Sequence, residues 1–427
     1  MILLFTVLFI FLLGGVPIFI SLGLAPIVKL IYSGEIPVFV AAQRIFGGLD
    51  KFALMAMPFF IFAADIMRFG GLAKRLLDFT NSITGFMRGG LALTTQLACM
   101  FFGALSGSSP ATVAAMGGLM YPELIAKKYP KGFAIGLITT SGAVAILIPP
   151  SITLIIYGTV TGVSIGALFI GGIGAGIVFG IVILIYSFFY SLKIKRLPDA
   201  HFSVKRIIKT GKDALWALGV PVIVLGGIYF GVFTPTEAAA ISAVYAILVS
   251  MFIYKEIDLK KLYEISLNSA ATLASVMILV ACASIFGWVL TVYQAPQQLA
   301  SLLLSHGAKL TTFWVSTNLL FLIAGMFMDG VGATIILGPL IYPIAMQMGV
   351  NPIHLGVVIT ANIAVGMITP PFGLNLFVAS GITKESMTTI IPAVLPFILL
   401  TLVVLLTVTC FPEISLFLPR LVYPGSF

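Results

Sequence analysis

Long apolar segments dominate this sequence and leave few positions for charged side chains. Of its 427 residues, 60% are hydrophobic and 9% are charged, and the mean hydropathy is +1.17. A water-soluble domain carries roughly 25% charged residues, because its surface must be solvated. At roughly 20 apolar residues per crossing, the chain has enough apolar sequence for on the order of ten or more membrane spans. We therefore predict an all-α polytopic membrane protein, which suits a transporter, a channel or an intramembrane enzyme.

The basic residues predict how the chain is oriented in the membrane. Lysine and arginine number 23, against 14 aspartates and glutamates. Their densest group lies in segment 193–215, which the positive-inside rule makes a cytoplasmic linker rather than a nucleic-acid site. Lys127 and Lys128, two crossings earlier, fall on the same side. Three later crossings are predicted at about 216–232, 235–254 and 269–291. Residues from about 292 to 352 then lie outside.

Three features of the N-terminal part are also predicted from local sequence. Segment 1–28 lacks the basic start of a signal peptide, so we predict a retained helix. Segment 70–88 is amphipathic and is predicted to lie along the membrane interface. Between these segments, Asp65 and Arg68 fall on one helical turn, which favours a structural ion pair over the alternative, a proton relay.

The sequence contains an internal repeat. Shifted by 221 residues, it matches itself at ten of 34 ungapped positions, where an apolar composition gives roughly two or three matches by chance. The predicted orientation places the two copies on opposite sides of the membrane, so we predict inverted repeats over 1–192 and 216–427. Inverted repeats are typical of secondary transporters. The most distinctive matches are Tyr121-Pro122 with Tyr342-Pro343 and Pro149-Pro150 with Pro370-Pro371.

Each repeat interrupts its apolar pattern twice. The first interruption lies within about 89–127 in one repeat and 310–350 in the other. Because both ends of each segment fall on one side of the membrane, we predict re-entrant helical hairpins. The second interruption is a Pro-Pro pair within about 132–161 and 353–382, and such a pair splits a helix in mid-span. Irregular backbone inside a bilayer is tolerated where it lines a wet cavity or is buried in protein. The tips and breaks are therefore predicted to face a site near the midplane.

Small hydroxyl and amide side chains lie at these interruptions, together with one carboxylate. Carbonyl groups freed at the end of a half-helix suit a cation, whereas the N-terminus of a half-helix suits an anion. Small residues also serve tight helix packing in lipid, which is the alternative for any single serine. Asp329 is an N-cap of the second hairpin helix, a cation ligand, or both. The side chains that could complete an oxygen shell are Ser106, Ser108, Ser109, Thr139, Asn362, Thr369 and Asn375.

Motifs for ATP hydrolysis and metal-dependent hydrolysis are absent from the sequence. It contains no G-x-x-x-x-G-K-[ST] and no H-E-x-x-H, and its three histidines share no motif. Energy for transport would then come from an ion gradient or from the gradient of the solute. An intramembrane hydrolase would need a catalytic dyad that the sequence does not show, and a channel would need a continuous pore. We therefore predict a transporter and not an enzyme.

Several strings make the chain resemble a known family. They are Leu105-Ser-Gly-Ser-Ser-Pro-Ala-Thr112, the Gly-Val-Phe-Thr-Pro-Thr-Glu-Ala stretch at 231–238 and the duplicated Pro-Pro breaks. With the chain length, they resemble the large membrane subunit of tripartite ATP-independent periplasmic (TRAP) transporters, the DctM-like or SiaM-like proteins of the ion-transporter superfamily. The likeness covers essentially the whole chain. It implies a multi-pass protein of the bacterial inner (cytoplasmic) membrane that works as an elevator, in which a transport domain slides against a scaffold.

The resemblance also implies partners and coupling ions. The partners would be a small four-helix membrane subunit and a soluble periplasmic binding protein. The binding protein would deliver an organic acid such as a C4-dicarboxylate or a sialic acid, and two or more Na⁺ ions would drive its import. The alternative is a stand-alone sodium- or proton-coupled anion symporter of the same superfamily, without a binding protein.

By the same resemblance, sodium ions would bind where each hairpin tip meets a broken helix. The residues assigned to sodium are Ser106, Gly107, Ser108, Ser109, Gly142, Ile148, Pro149, Asp329, Gly332, Thr334, Gly366, Thr369 and Pro370. The residues assigned to the substrate are Ser108, Thr112, Ser151, Asn362 and Asn375.

Overall fold

The computed structural model of the chain describes residues 2–194, 202–295, 297–298 and 309–423. The regular secondary structure of these residues is helical, without a β-strand, which confirms the prediction of an all-α protein. Parts of two predicted segments lie outside the described residues. They are residues 195–201 of the basic linker and residues 296 and 299–308 of the predicted external segment.

Five helices form the N-terminal part of the chain. They are α1 (Ile2–Leu13), α2 (Ile18–Ser33), α3 (Phe39–Leu49), α4 (Ala56–Phe69) and α5 (Leu72–Thr84). The single helix predicted over residues 1–28 is wrong, because the chain turns between α1 and α2. Gly15 has a φ of 77°, a left-handed conformation that favours glycine. Pro17, which precedes α2, lacks the amide hydrogen that a continuous helix would use.

The next five helices contain the first predicted hairpin and the first Pro-Pro pair. They are α6 (Gly90–Ser106), α7 (Ser109–Ala126), α8 (Lys131–Ala143), α9 (Ile152–Thr161) and α10 (Ile165–Leu192). Only Gly107 and Ser108 separate α6 from α7, and the two helices pack against each other as a helical hairpin. A 3-10 turn, Val144–Ile146, follows α8. It leads to Pro149 and Pro150, which are joined by a cis peptide bond. The broken helix thus consists of two half-helices, α8 and α9.

Three helices follow the basic segment. They are α11 (Val204–Pro221), α12 (Pro235–Leu248) and α13 (Leu259–Val292). α11 begins within the predicted linker, where Ser203 caps it, and continues through a π-helical turn to Tyr229. Thr234 and Glu237 form a capping box at the start of α12. The Thr-Pro-Thr-Glu string is therefore a helix-start signal.

The C-terminal part again contains a hairpin followed by a broken helix. Its helices are α14 (Leu310–Phe327), α15 (Gly330–Gln347), α16 (Pro352–Gly366), α17 (Leu374–Thr383), α18 (Met387–Cys410) and α19 (Glu413–Val422). Met328 and Asp329 separate α14 from α15, which pack against each other. Pro370 and Pro371, also joined by a cis bond, lie between α16 and α17. Corresponding elements thus occupy the positions that the internal repeat matches, while the inverted division of the chain stays a prediction.

Eight helical segments of the described chain are long and apolar enough to cross a membrane. They include α10, α13, α18 and both arms of the second hairpin. The half-helices α8, α9, α16 and α17 are among the shorter apolar helices, which have 10–17 residues. They are short because the two Pro-Pro pairs divide segments that would otherwise be long enough to span.

The hairpins and broken helices of the two halves pack crosswise. α15, from the second hairpin, packs against α9, and α17 packs against α7 of the first hairpin. The long helix α13 packs against α2, α3 and α4, and also against α15. We call α1–α5 with α11–α13 the outer group, and α6–α10 with α14–α19 the central group. Crosswise packing brings both tips and both breaks into one region of the central group.

Candidate functional site

The first hairpin tip is a tight turn held by its own side chains. Gly107 has a φ of 60°, and a Cβ atom there would overlap the carbonyl oxygen of Pro150. Glycine is therefore required by both the backbone conformation and the close approach. Ser106 Oγ lies 2.8 Å from Thr112 Oγ1, and Thr112 Oγ1 donates to the carbonyl oxygen of Ser108 at 2.9 Å. These bonds join the two arms of the hairpin at its tip.

The first Pro-Pro break lies directly behind this tip. The amide of Ile152 donates to the carbonyl oxygen of Gly107 at 3.4 Å. Ser151 caps α9, because its hydroxyl oxygen accepts from the amide of Leu154 at 3.3 Å, and the hydroxyl donates to the carbonyl oxygen of Ile146. The tip and the start of α9 are therefore one hydrogen-bonded unit.

The second tip carries the carboxylate that the sequence singled out. Asp329 Oδ1 accepts from the amide of Gly332 at 3.0 Å, which confirms that Asp329 is the N-cap of α15. Gly330 lies against α9 of the other half, since a Cβ atom there would be 2.6 Å from Thr153 Oγ1. The second tip thus contacts the half-helix that follows the first break.

The second Pro-Pro break is packed against the second hairpin. A Cβ atom on Gly366, at the end of α16, would lie 2.7 Å from the Cα atom of Gly325 in α14. Beyond the prolines the chain folds back, and the amide of Asn375 donates to the carbonyl oxygen of Met367 at 3.0 Å. Two glycines therefore let the break approach the hairpin more closely than any side chain would allow.

Asn375 connects the second break to the first hairpin. Its Nδ2 donates to Ser109 Oγ at 2.7 Å and lies 3.4 Å from the carbonyl oxygen of Thr139. All three residues are fully buried. The amide oxygen Oδ1 of Asn375 is also buried, and it has no hydrogen-bond partner among the described residues. An amide oxygen of this kind is a suitable ligand for a hard cation.

These elements surround one cavity of about 330 Å³. Ile146 and Ile152 line it beside the first break, and Met367 and Leu374 line it beside the second. α4 and α13 of the outer group close the opposite wall. The tips and breaks of both halves thus converge on one place. The predicted site residues that line this cavity are Ser106, Gly107, Ser108, Ser109 and Asp329.

Two charged residues of α4, Asp65 and Arg68, also line the cavity. The predicted ion pair between them does not form as a direct salt bridge, because Asp65 Oδ2 accepts a hydrogen bond of 2.6 Å from Ser269 Oγ on α13 instead. The positive charge of Arg68 still acts on Asp65. Arg68 forms no salt bridge with any residue that the structure describes, and its guanidinium carbon lies 5.1 Å from the ring centre of Phe69. The packing of α4 against α13 decides this arrangement, since it brings Asp65 within hydrogen-bond distance of Ser269.

Sequence reasoning missed Arg68 as a site residue, together with Thr153 and Thr272, which also line the cavity. A signal for Arg68 was present, because an ionisable residue within an apolar helix indicates a functional site. The two threonines have no such signal. Threonines are frequent in this sequence, and only the packing of α9 and α13 selects these two.

The other predicted residues lie around the cavity and do not line it. Gly142 allows α8 to pack closely on α7, and Ile148 packs against Gly176 of α10. Asn362 donates to Asn318 Oδ1 on α14 at 2.7 Å, away from the tips. The remaining members of this group are Thr112, Pro149, Ser151, Gly332, Thr334, Gly366, Thr369, Pro370 and Asn375.

The cavity lining contains one positively charged side chain, Arg68, and two carboxylates, Asp65 and Asp329, beside neutral oxygen ligands. Hydroxyl, amide and main-chain oxygens surround the two tips, and they suit a hard cation. In the part of the chain that the structure describes, no group of three or more His, Cys, Asp or Glu side chains could hold a metal ion. The guanidinium of Arg68 offers paired donors that match a carboxylate. The cavity is thus suited to an organic anion together with small cations.

Comparison with known proteins identifies the family. The protein-family model described as tripartite ATP-independent periplasmic transporter, DctM component, matches residues 5–414 of this chain. The C4-dicarboxylate TRAP transporter large permease protein DctM of Vibrio cholerae is 41% identical over 429 residues, which cover 95% of this chain and 94% of that protein. The sialic acid TRAP transporter large permease protein SiaM of Vibrio cholerae is 34% identical, and the match covers 96% of each chain.

A third relative is longer than this chain. The isethionate TRAP transporter permease protein DctMQ of Oleidesulfovibrio alaskensis is 41% identical over 408 residues, and these are 95% of this chain but 64% of that protein. Among solved structures, the YdaH transporter of Alcanivorax borkumensis aligns over 88% of each chain with a TM-score of 0.60 and 16% identity. That likeness shows the fold of a membrane transporter. From the family model and these relatives, we conclude that the chain belongs to the DctM family of TRAP transporters and is a large permease protein of that family.

Proposed function

We propose that this chain is the membrane subunit through which an organic acid is imported, driven by a sodium gradient. The observation that carries the proposal is the single cavity on which both hairpin tips, both Pro-Pro breaks and Arg68 converge. The named relatives are permeases for a C4-dicarboxylate, a sialic acid and isethionate. Each of these solutes is an organic anion, so the proposal matches the chemistry of the cavity.

Arg68 is the residue that we assign to the acidic group of the solute. Its guanidinium can donate two parallel hydrogen bonds to a carboxylate. It forms no salt bridge within the described residues, so binding an anion breaks no existing ion pair. Ser108, at the tip of the first hairpin, and Thr153 and Thr272, on the facing walls, supply hydroxyl groups for the rest of the solute.

We assign sodium to the oxygen atoms where each tip meets a break. Two buried side-chain oxygens support this assignment, because neither Asn375 Oδ1 nor Thr334 Oγ1 has a hydrogen-bond partner among the described residues. A buried polar atom without a partner costs roughly 1–3 kcal/mol. Ser106 and Ser109 add hydroxyl oxygens at the first tip, and Asp329 adds the one carboxylate at the second. A bound cation would supply positive charge beside the acid.

An elevator movement is supported by how the two groups of helices divide the cavity. The central group contains both tips and both breaks, and the outer group contributes α4 and α13. Side-chain hydrogen bonds that join the two groups would need to break if one group slid past the other. Among the described residues they include the bond from Lys51 Nζ, just before α4, to the carbonyl oxygen of Thr159 in α9 at 3.1 Å, and the 2.8 Å bond between the hydroxyls of Thr84 in α5 and Thr94 in α6. We place the protein in the bacterial inner membrane, with a small four-helix membrane subunit and a periplasmic binding protein as partners.

The test is uptake into proteoliposomes that contain this chain and its small membrane subunit. Labelled succinate and labelled sialic acid are supplied with the binding protein, under an inward sodium gradient or an equal potassium gradient. We expect one of these acids to accumulate with the sodium gradient and the binding protein present. Uptake that is equal in potassium would contradict sodium coupling.

A control without the binding protein tests the alternative function. A stand-alone symporter would transport the acid at the same rate when the binding protein is omitted. Uptake that falls to the background level of empty liposomes supports the three-component assignment. Uptake that continues undiminished assigns the chain to the stand-alone class.

A further inference from the structure

A second and larger cavity lies between α5 and α11, outside the central group. Its volume is about 770 Å³, and it also reaches the end of α12. Basic side chains on its wall outnumber acidic ones. The basic residues are Lys74, Arg75, Arg206, Lys209 and Lys212, and the acidic residues are Asp78, Asp213 and Glu256.

The back of this basic cavity is held by direct contacts. Arg75 forms a salt bridge of 2.7 Å with Glu256, and its guanidinium lies 3.7 Å from the ring centre of Tyr254. The hydroxyl of Tyr254 donates to the carbonyl oxygen of Asp213 at 2.7 Å, which ties the segment after α12 to α11. A 2.8 Å hydrogen bond from Thr210 to Ser82 joins α11 to α5. The concave shape is therefore fixed by contacts between three separate segments.

Four of the five basic side chains have no acidic partner among the described residues. Lys74, Arg206, Lys209 and Lys212 form no salt bridge and no side-chain hydrogen bond with any residue that the structure describes. On α11 the three basic residues are spaced three apart, so they lie close to one face of the helix. Lys74 faces them from α5 across the cavity. These charges converge on one volume, where an anion would satisfy them.

The rim of the basic cavity is apolar. Trp216, on the same face of α11, is 45% exposed, and Ile253, at the end of α12, is 42% exposed. Leu215 beside Trp216 is 63% exposed. α11 is part of a segment long and apolar enough to span a membrane, and its basic residues occupy the first turns of that segment. Lysine and arginine at such a position, followed by a tryptophan, are typical of the membrane interface.

We propose that this basic cavity binds the phosphate headgroup of an anionic phospholipid, with the acyl chains lying along the exposed apolar face of α11. The charge selects an anion, and the adjoining apolar rim favours a ligand that carries hydrocarbon next to its phosphate. Basic pockets between membrane helices on the cytoplasmic side are suited to such headgroups. The site is separate from the cavity at the two hairpin tips, and it does not depend on which solute is transported.

Binding is tested with the purified full chain in a neutral detergent. The probe lipids are phosphatidylglycerol and phosphatidylcholine of equal chain length, and inorganic phosphate is the third ligand. Retained lipid is counted by native mass spectrometry, and each affinity is measured from the rise in the unfolding temperature. We expect phosphatidylglycerol to bind at least about tenfold more tightly than phosphatidylcholine, because each basic residue near an anionic headgroup contributes to binding.

Two triple variants separate this cavity from general surface charge. The test variant carries R206Q, K209Q and K212Q. The control carries K128Q, K205Q and K260Q, which remove the same charge from exposed positions that do not line the cavity. We expect the test variant to lose phosphatidylglycerol binding by about tenfold or more, and the control to keep it. The lipid-free unfolding temperature of each variant shows that it is folded.

Three outcomes would overturn the proposal. Equal affinity for the two lipids would show that the headgroup charge is not recognised. Equal losses in the two triple variants would assign binding to the overall charge of the protein. Inorganic phosphate that displaces phosphatidylglycerol at equal concentration would show that the cavity binds a free anion and not a lipid.

Discussion

Asn375 Nδ2 lies 2.7 Å from Ser109 Oγ, although the two residues are 266 positions apart in the chain. This hydrogen bond joins the region after the second Pro-Pro break to the start of the second arm of the first hairpin. Both residues are fully buried, so neither group can exchange its partner for bulk water. The halves of the protein are thus connected at the point where the sodium sites are proposed.

Replacing Asn375 by alanine should lower the free energy of unfolding by about 1–3 kcal/mol, because Ser109 and Thr139 lose a buried donor. Thermal unfolding in detergent measures this loss. Asn268→Ala, an exposed position on α13, should change stability by less than about 0.5 kcal/mol. A double-mutant cycle with Ser109→Ala checks the contact itself. Effects that simply add would mean that the two side chains do not interact.

Gly107→Ala should destabilise the protein and abolish uptake. Alanine at a φ of 60° costs about 1–2 kcal/mol, and its Cβ would also overlap the carbonyl oxygen of Pro150. Gly162→Ala is the matched control, because Gly162 has a φ of 78° but no neighbour within 4 Å of a Cβ atom. Gly162→Ala should lose only the stability that a left-handed backbone conformation costs an alanine, without the additional loss from a steric overlap. Equal loss of stability in the two variants would mean that the hairpin tip relaxes away from the break.

Asp329 can be tested for its two roles separately. Asp329→Ala removes the N-cap of α15 and should cost about 0.5–2 kcal/mol of stability. Asp329→Asn keeps an oxygen that accepts from the amide of Gly332, so stability should be retained. If Asp329 also binds sodium, the asparagine variant should need a higher sodium concentration for half-maximal uptake. An unchanged sodium requirement in Asp329→Asn would limit this residue to capping.

Arg68→Gln should raise the half-saturating concentration of the transported acid by about tenfold or more, since a hydrogen bond to a charged group contributes roughly 1.5–3 kcal/mol. Arg68→Lys should recover part of the affinity, because it restores the charge without the paired donors. The control is Arg420→Gln, an exposed position on α19 that does not line the cavity and that forms a surface salt bridge with Glu413. Concentration-dependent uptake is the measurement. A normal half-saturating concentration in Arg68→Gln would place the anion elsewhere.

The double variant Ser106→Ala with Ser108→Ala should weaken the dependence of uptake on sodium while the protein stays folded. It removes two hydroxyl groups from the cavity lining, and that of Ser106 also hydrogen-bonds with Thr112. The matched control is Ser275→Ala with Ser316→Ala, since both serines are exposed and donate to carbonyl oxygens of their own helices. Sodium titration of uptake compares the two proteins. A sodium affinity equal to that of the control would move the site away from the first tip.

Much of the local structure was predictable because it depends on neighbouring residues. Apolar segments interrupted by glycine and serine predicted the first hairpin, and two Pro-Pro pairs predicted both broken helices. Proline acts locally, since it removes one amide hydrogen and obstructs the preceding turn. The same holds for Asp329, whose capping role follows from a short acceptor side chain directly before a helical segment. The turn at Gly15 was missed, although its glycine is as local a signal as any of these.

The partners of individual side chains could not be predicted in the same way. Asp65 and Arg68 share a helical turn, which favoured an ion pair, yet Asp65 bonds to Ser269 on α13. Spacing within one helix fixes which residues share a face, but it does not show which helix will cover that face. Segment 193–215 was predicted as a linker for a similar reason. Its local sequence does not show that residues from Val204 onward form part of a helix, α11, that packs against α5.

By itself, the sequence determined that the protein is a helical membrane protein with duplicated breaks, because hydrophobicity, proline and glycine act over a few residues. Tertiary structure alone decided that the hairpin of each half packs against the broken helix of the other, and that Arg68 enters the resulting cavity. One such contact, between Asn375 and Ser109, joins residues 266 positions apart. They depend on the fit between whole helix surfaces, and a single sequence does not record that fit.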